Sequence, residues 1–350
     1  MNRIKVVILG ATGTVGQRFI QLLNGHPFFE ITEVAASEKS AGKKYGDAVT
    51  WKLDTPIPES IGNLTVRECK PLMNARVAFS GLDSSVAGEV EMDFAKNGFA
   101  VVSNSKNYRM EPDVPLIYPE INADHTELIG IQKKNRGFDK GFIVTNSNCS
   151  IMSFLPIIHV MDTYFGVDRM TVVTMQAISG AGYPGVASLD ILGNIVPHIG
   201  GDEEDKIQKE PLKILGKLNN GKVIDSQIRI SASVNRVPVL DGHLASVSVK
   251  LKKKTSIEEI KERLRTFRGV PQDLKLPHAP ERPIIVHEEI DRPQPRLDIH
   301  LDKGMAVSVG RIRPCDVLDY KFTCLVHNTI RGAAGAAILN AELLYAKNLL

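Results

Sequence analysis

Apolar residues in the first 150 positions fall into short blocks separated by glycine and polar stretches, and the blocks change period in a regular order. Ile4–Leu9 is short, apolar and rich in β-branched residues, which predicts a strand. Gly10–Gly16 reads as a glycine turn, Val15–Leu23 carries apolar residues at helical spacing, and Ile31–Ala36 reads as a second strand. The alternation continues with Arg76–Ser80 (strand), Ser85–Asn97 (helix), Ala100–Ser103 (strand) and Phe142–Thr145 (strand). Strands alternating with helices predict a parallel sheet with right-handed crossovers.

From about residue 150 the pattern changes. After a helix predicted over Ile151–Met161, Met170–Ile178, Ile228–Val234 and Ala245–Leu251 read as longer alternating strands. Met305–Ile312 and Tyr320–Val326 follow, and two helices, Glu203–Leu218 and Ser256–Phe267, interrupt the series. Long strands with few crossovers predict a mostly antiparallel sheet, able to cover a partner subunit. The Pro-rich stretch from Pro271 to Pro295 keeps apolar residues throughout and is expected to be ordered. Ile330–Asn348 reads as one long amphipathic helix that returns to the first domain.

The length of 350 residues exceeds what one core usually supports, so two domains are expected. A net charge of +3, spread along the chain, gives no reason to expect nucleic acid, and the basic run Lys250–Lys254 reads as a solvated strand end. No segment approaches the roughly 20 apolar residues of a bilayer span. Cys69, Cys149, Cys315 and Cys324 form no C-x-x-C pair, which suits reduced thiols and a cytoplasmic setting. Metal is not expected, because no histidine or cysteine cluster has ligand spacing.

Six motifs carry candidate chemistry. Gly10, Gly13 and Gly16 stand between a strand and a helix, where a tight turn brings free N–H groups of a helix start to a phosphate. At the end of the second strand, Ser37 and Ser40 flank Glu38 and Lys39, and hydroxyls beside a cation favour the 2′-phosphate of NADP over NAD. Cys149, in TNSNCS, falls between a strand end and a helix start, where the macrodipole is expected to lower its pKa. His243, in RVPVLDGH, is expected on a turn between core strands, with Arg236 on the approach as a carboxylate partner. Glu210 and Lys213 are three apart on one helical face, with Pro211 suggesting a helix start or break. SGAGYPG (Ser179–Gly185) could bring backbone close to a ligand.

Together ILGATGTVGQRF, SNSKNYRM, DVPLIYPEIN, TNSNCS, QAISGAGYPG, RVPVLDGH and HNTIRGAAGAAILNAELL closely resemble the aspartate-semialdehyde dehydrogenases, in the branch found in archaea and fungi. The resemblance spans nearly the whole chain. It implies an α/β plus α+β fold: a Rossmann-type NADP-binding domain from residues 1–148 plus 329–350, and a mixed-sheet catalytic and dimerisation domain from 149–328. It implies Cys149 as nucleophile, His243 as acid/base and Gln176 as the residue orienting the acyl group. For substrate it implies Arg236 at the carboxylate, Glu210 at the amino group, and Arg109 and Lys213 at the phosphate, with Asn148 assisting. For NADP it implies Gly10, Thr12, Gly13, Thr14 and Val15 at the pyrophosphate, Ser37 and Ser40 at the 2′-phosphate, and Ser85, Gly180, Gly182 and Asn328 nearby. The implied reaction reduces L-aspartyl 4-phosphate to L-aspartate 4-semialdehyde through a cysteine thioester, in a homodimer or homotetramer. Malonyl-CoA reductase on the same scaffold, N-acetyl-glutamyl-phosphate reductase and a catalytically silent NADP-binding paralogue are the rival readings.

Overall fold

A computed structural model describes residues 3–350. Seven strands form a wholly parallel first sheet: β1 (Ile4–Leu9), β2 (Phe29–Ala36), β3 (Arg67–Glu68), β4 (Val77–Ser80), β5 (Ala100–Ser103), β6 (Leu116–Ile117) and β7 (Phe142–Asn146). Their order is β3-β2-β1-β4-β5-β7-β6, so the chain reverses direction across the sheet between β1 and β4. In β1, Val6 and Ile8 enter one apolar cluster while Val7 and Leu9 enter another. Burial on both faces explains why these strands read as near-continuous apolar runs.

The second sheet comprises β8 (Val167–Gln176), β9 (Val196–Pro197), β12 (Arg229–Arg236), β13 (His243–Leu251), β14 (Ile284–Val286), β15 (Val307–Pro314) and β16 (Tyr320–Val326). Between β9 and β12 a separate hairpin pairs β10 (Lys217–Asn219) with β11 (Lys222–Ile224). The order β14-β15-β16-β13-β8-β12-β9 is antiparallel except at β12–β8 and β14–β15. One edge of this sheet therefore gathers the end of β8, the end of β12 and the start of β13, three neighbouring strands. Helix Ile151–Phe165 covers the sheet and leads the largest apolar cluster.

Several expected elements are redrawn. The helix from Glu203 stops at Ile214, because Lys217 already pairs in the β10–β11 hairpin, and Pro211 sits inside the helix without ending it. His243 is the first residue of β13 rather than a turn residue. The C-terminal segment is a π-turn over Ile330–Ala334 followed by helix Gly335–Ala346, and that helix is buried on all sides. Ala337, Ile338 and Ala341 pack into a core of the first sheet, whereas Leu339 and Leu343 meet Leu276 and Met305 of the second domain. Cover from both domains removes the need for a polar face.

A buried clasp fixes that helix. Glu342 accepts hydrogen bonds from His26 Nε2 (2.8 Å), His278 Nδ1 (2.7 Å) and the backbone N–H of His278. These are also the only histidine and carboxylate groups, among the described residues, close enough together to hold a metal. His26 Nδ1 accepts the backbone N–H groups of Phe28 and Phe29, so its proton sits on Nε2, facing Glu342. A metal-bound histidine needs the reverse, a bare nitrogen inward and a proton donated outward. The cluster is a hydrogen-bonded clasp.

Candidate active site

The carboxyl ends of parallel strands, at a reversal of strand order, are where such sheets bind ligands. Here a cleft of about 590 Å³ opens at that edge, lined by Gly10 after β1, Ser37 after β2, Gly81 after β4, Asn104 after β5 and Cys149 after β7. Its other wall comes from the second domain, through the loop Ser179–Tyr183, Lys206 and Asn328. Thr12, Gly13, Thr14 and Val15 line it, as do Arg109, Asn148, Gly180 and Gly182. Thr14 Oγ1 accepts the Tyr183 backbone N–H at 3.0 Å, joining the two walls. Gly10 has φ +74, and a Cβ there would lie 2.8 Å from Gly81 O, so only glycine keeps this floor open. The glycine turn, the helix start at Thr14 and Ser37 fit a dinucleotide of the NADP type. Ser40 and Ser85 are not among the lining residues: Ser40 donates its N–H to Ser37 O, and Ser85 donates its N–H to the Asp83 carboxylate that caps the next helix.

Cys149 is half-buried and lies two residues before helix Ile151–Phe165. Burial pushes its thiol up to about 12, helped by the Glu203 charge; Arg109 and Arg236 pull the other way without prevailing. The expected lowering of this thiol is not found, because desolvation of the thiolate by burial is the largest influence on it. The π-turn brings Gly332 against Cys149, where an added Cβ would lie 2.9 Å from Cys149 Cβ. Such turns recur at functional sites, and nothing in the sequence pattern reveals this one.

Arg236 and Gln176 are register partners at the ends of β12 and β8, and His243 opens neighbouring β13. Arg236 donates from Nη1 to Ala177 O at 2.7 Å. His243 Nδ1 accepts the Ala177 N–H at 3.1 Å, so the ring proton lies on Nε2, which is buried and has no protein partner. Burial, then the charges of Arg236 and His327, depress this imidazole to about 3, so it is neutral near pH 7. A Cβ on Gly180 would fall 2.9 Å from both His243 Nε2 and Arg236 Nη1, so this position must be glycine for the loop to lie over the pair.

The Glu210–Lys213 pair is not presented to the cleft. Glu210 accepts Arg109 Nη1 at 2.9 Å on one oxygen and the Asn148 N–H at 2.7 Å on the other. Lys213 Nζ donates to the carbonyls of Arg109, Glu111 and Val114 at 2.7, 2.7 and 2.8 Å, which uses all three of its protons. In this arrangement both residues brace Arg109, the expected phosphate ligand. Two turns earlier on the same helix, Glu203 and Lys206 do reach the site. Glu203 Oε1 accepts Asn148 Nδ2 at 2.8 Å and Gln176 Nε2 at 3.3 Å, and Oε2 meets Lys206 Nζ at 3.1 Å. The signal that could have found them is the same three-residue spacing, in the GDEED run that opens the helix. Asn328 lines the cleft, but its side-chain oxygen accepts the Gly242 N–H and its amide donates to Ser179 Oγ, both at 2.8 Å.

A dinucleotide cleft joined to a half-buried cysteine and a buried arginine and histidine defines the class of semialdehyde dehydrogenases. Residues 5–129 match the family profile "Semialdehyde dehydrogenase, NAD binding domain", and residues 159–331 match "Semialdehyde dehydrogenase, dimerisation domain". The aspartate-semialdehyde dehydrogenase of Archaeoglobus fulgidus is 50% identical over 344 residues, covering 98% of each chain. That of Schizosaccharomyces pombe is 49% identical over 355 residues, covering 99% of each. The crystal structure of the Candida albicans enzyme with NADP superposes with a TM-score of 0.91 at 45% identity, over 100% of both chains. The chain therefore belongs to the aspartate-semialdehyde dehydrogenase family, NADP-dependent oxidoreductases of amino-acid biosynthesis. No helix among the described residues is long and apolar enough to cross a membrane.

Proposed function

We propose that the cleft reduces L-aspartyl 4-phosphate to L-aspartate 4-semialdehyde through an acyl group carried on Cys149. One observation carries the reading: the thiol feels the charges of a carboxylate, Glu203, and of two guanidinium groups, Arg236 and Arg109. That set complements a substrate with an ammonium, a carboxylate and a phosphate. Arg236 holds the α-carboxylate, Glu203 the α-ammonium, and Arg109 with Lys206 and Asn148 the phosphate. Arg109 is fixed for this by Glu210 and by Asn104 O. Gln176 orients the acyl oxygen.

Cys149 sulfur attacks the acyl carbon, the C–O bond to phosphate breaks, and the thiol proton leaves with the phosphate. NADPH, when bound along Gly10–Val15 with its 2′-phosphate near Ser37, supplies hydride to the acyl carbon. The tetrahedral oxygen then re-forms the carbonyl as the C–S bond breaks, releasing the semialdehyde. The proton that His243 holds on Nε2 passes to the departing sulfur and restores the thiol, while Arg236 and Glu203 keep the amino-acid end in place. Two easier steps replace one difficult one.

On this reading residues 1–148 plus 329–350 form the cofactor unit and 149–328 the catalytic and dimerisation unit, in a cytoplasmic homodimer or homotetramer. The test is phosphate-dependent reduction of NADP with aspartate semialdehyde. Wild type is expected to turn over and to show an acyl adduct by intact mass, whereas Cys149→Ser retains the fold and loses nearly all activity. Full activity of the serine variant, or preference for malonyl-CoA, overturns the proposal.

A further inference from the structure

We propose that Ser179, Asp241 and Asn328 form a hydrogen-bonded clamp that positions His243, and that this, rather than cofactor contact, is the main task of Asn328. The inference rests on the function proposed above and deepens it. Between β12, which ends at Arg236, and β13, which starts at His243, the chain leaves the sheet for six residues. After Val237, whose N–H still bonds Gln176 O at 3.0 Å, the ladder no longer holds this excursion, yet its last residue precedes the imidazole.

Two segments converge to hold it. From the loop after β8, the backbone N–H groups of Ile178 and Ser179 donate to Val239 O (2.8 Å) and Leu240 O (3.1 Å). Ser179 Oγ donates to Asp241 Oδ1 at 2.7 Å and accepts from Asn328 Nδ2 at 2.8 Å. From the segment after β16, Asn328 Oδ1 accepts the N–H of Gly242 at 2.8 Å. The serine hydroxyl, with one proton and its lone pairs, thus links an acid to an amide, and the amide fixes the peptide directly before His243. Gly242 has φ +106 and is enclosed: a Cβ there would lie 2.7 Å from Ile299 Cγ2 and 3.1 Å from Pro295 Cβ.

The same loop orients the ring. Ala177, two residues before Ser179, gives its N–H to His243 Nδ1, leaving the proton on the unpartnered Nε2. Clamp and tautomer therefore come from one stretch, Ala177–Ser179, which also carries the carbonyl that holds Arg236. A shift of that stretch would displace the imidazole and change which nitrogen bears its proton. Misplacement of a reacting group by about 1 Å can cost about 10²-fold in rate.

The experiment compares Ser179→Ala, Asn328→Ala and Ser179→Thr in the full-length protein. The alanine variants are expected to lose about ten- to hundredfold in kcat, with NADPH affinity, read by fluorescence titration, within about twofold of wild type. Ser179→Thr, which keeps the hydroxyl, should recover most of the rate. Weakened NADPH binding with unchanged kcat in Asn328→Ala would overturn the proposal, as would wild-type kcat in Ser179→Ala. A second measurement needs neither turnover nor a folded variant: ring nitrogen-15 NMR of wild type should show His243 protonated on Nε2 and bare on Nδ1. The opposite tautomer would overturn the clamp, whereas absence of turnover with a correct tautomer would count against the proposed reaction alone.

Discussion

Two turns of the helix Glu203–Ile214 carry the same residue pair at the same spacing and serve different ends. In the first turn, Lys206 lines the cleft and Glu203 touches Asn148, Gln176 and Lys206. In the third, Glu210 and Lys213 are buried, and both carboxylate oxygens and all three ammonium protons meet protein partners. Sealed from solvent and fully partnered, Glu210 and Lys213 have little left for a ligand, whereas Glu203 and Lys206, though hydrogen-bonded, remain partly exposed. Because leaving a buried ion unpaired is costly, the Glu210–Lys213 pair is a strong brace instead. The cleft shows the complementary state: His243 Nε2 and Arg109 Nε are buried without partners.

The largest expected effect comes from breaking the brace. Glu210→Ala strands the Arg109 charge, and removing one partner of a buried pair costs about 3–5 kcal/mol. Lys213→Met leaves two buried carbonyls, those of Arg109 and Val114, without donors and should be of similar severity. Urea denaturation should register both as losses of folding stability. Burial holds the Lys213 ammonium down to about 8, still charged at neutral pH, so the brace is intact there. A stable Lys213→Met protein with only a raised KM for phosphate would erase the distinction between the two turns.

Next in size is Glu203→Gln, where folding stability should barely move while kcat/KM falls. Loss of a charge-assisted bond to the substrate ammonium costs about 1.5–3 kcal/mol, roughly ten- to hundredfold. The same change should affect Cys149 in the opposite sense. The Glu203 carboxylate is one cause of the raised thiol pKa, so neutralising it favours the thiolate. Iodoacetamide alkylation of the free protein should therefore quicken in Glu203→Gln although turnover slows. In wild type, with the thiol near 12, the thiolate fraction rises about tenfold per pH unit. Alkylation should then climb without a plateau from pH 7 to pH 10. A plateau below pH 8 would show a thiolate already formed and refute the dominance of burial.

What the sequence revealed follows the same division. Strand ends flanked by distinctive motifs were legible, because local pattern alone placed Cys149 after β7 and Arg236 with His243 across one turn. The helix pair was not, since a three-residue spacing defines a face but not what that face meets. At Cys149 a strand end and a helix start are visible in the sequence, but the desolvation that raises the thiol comes only from packing. The C-terminal helix was expected to be amphipathic, yet two domains cover it and the His26–His278–Glu342 clasp anchors it from segments far apart in sequence. Long-range partners are what pattern reading lacks.

The smallest expected effect applies the comparison to a pair of serines in one turn. Ser37 lines the cleft directly after β2, whereas Ser40 is turned into the loop and linked back through its N–H to Ser37 O. The resemblance offers both to the 2′-phosphate, but only Ser37 borders the space in which it would lie. Ser37→Ala removes one hydrogen bond at an exposed position, where the net loss is about 0.5–1.5 kcal/mol. The ratio of kcat/KM for NADP to that for NAD should therefore fall about two- to tenfold. Ser40→Ala keeps the backbone bond that shapes the turn and should leave that ratio within about twofold. Equal falls in the two variants would place Ser40 in the cleft after all, whereas a fall in Ser40→Ala alone would mean that the hydroxyl nearest the strand end is not the one that reads the phosphate.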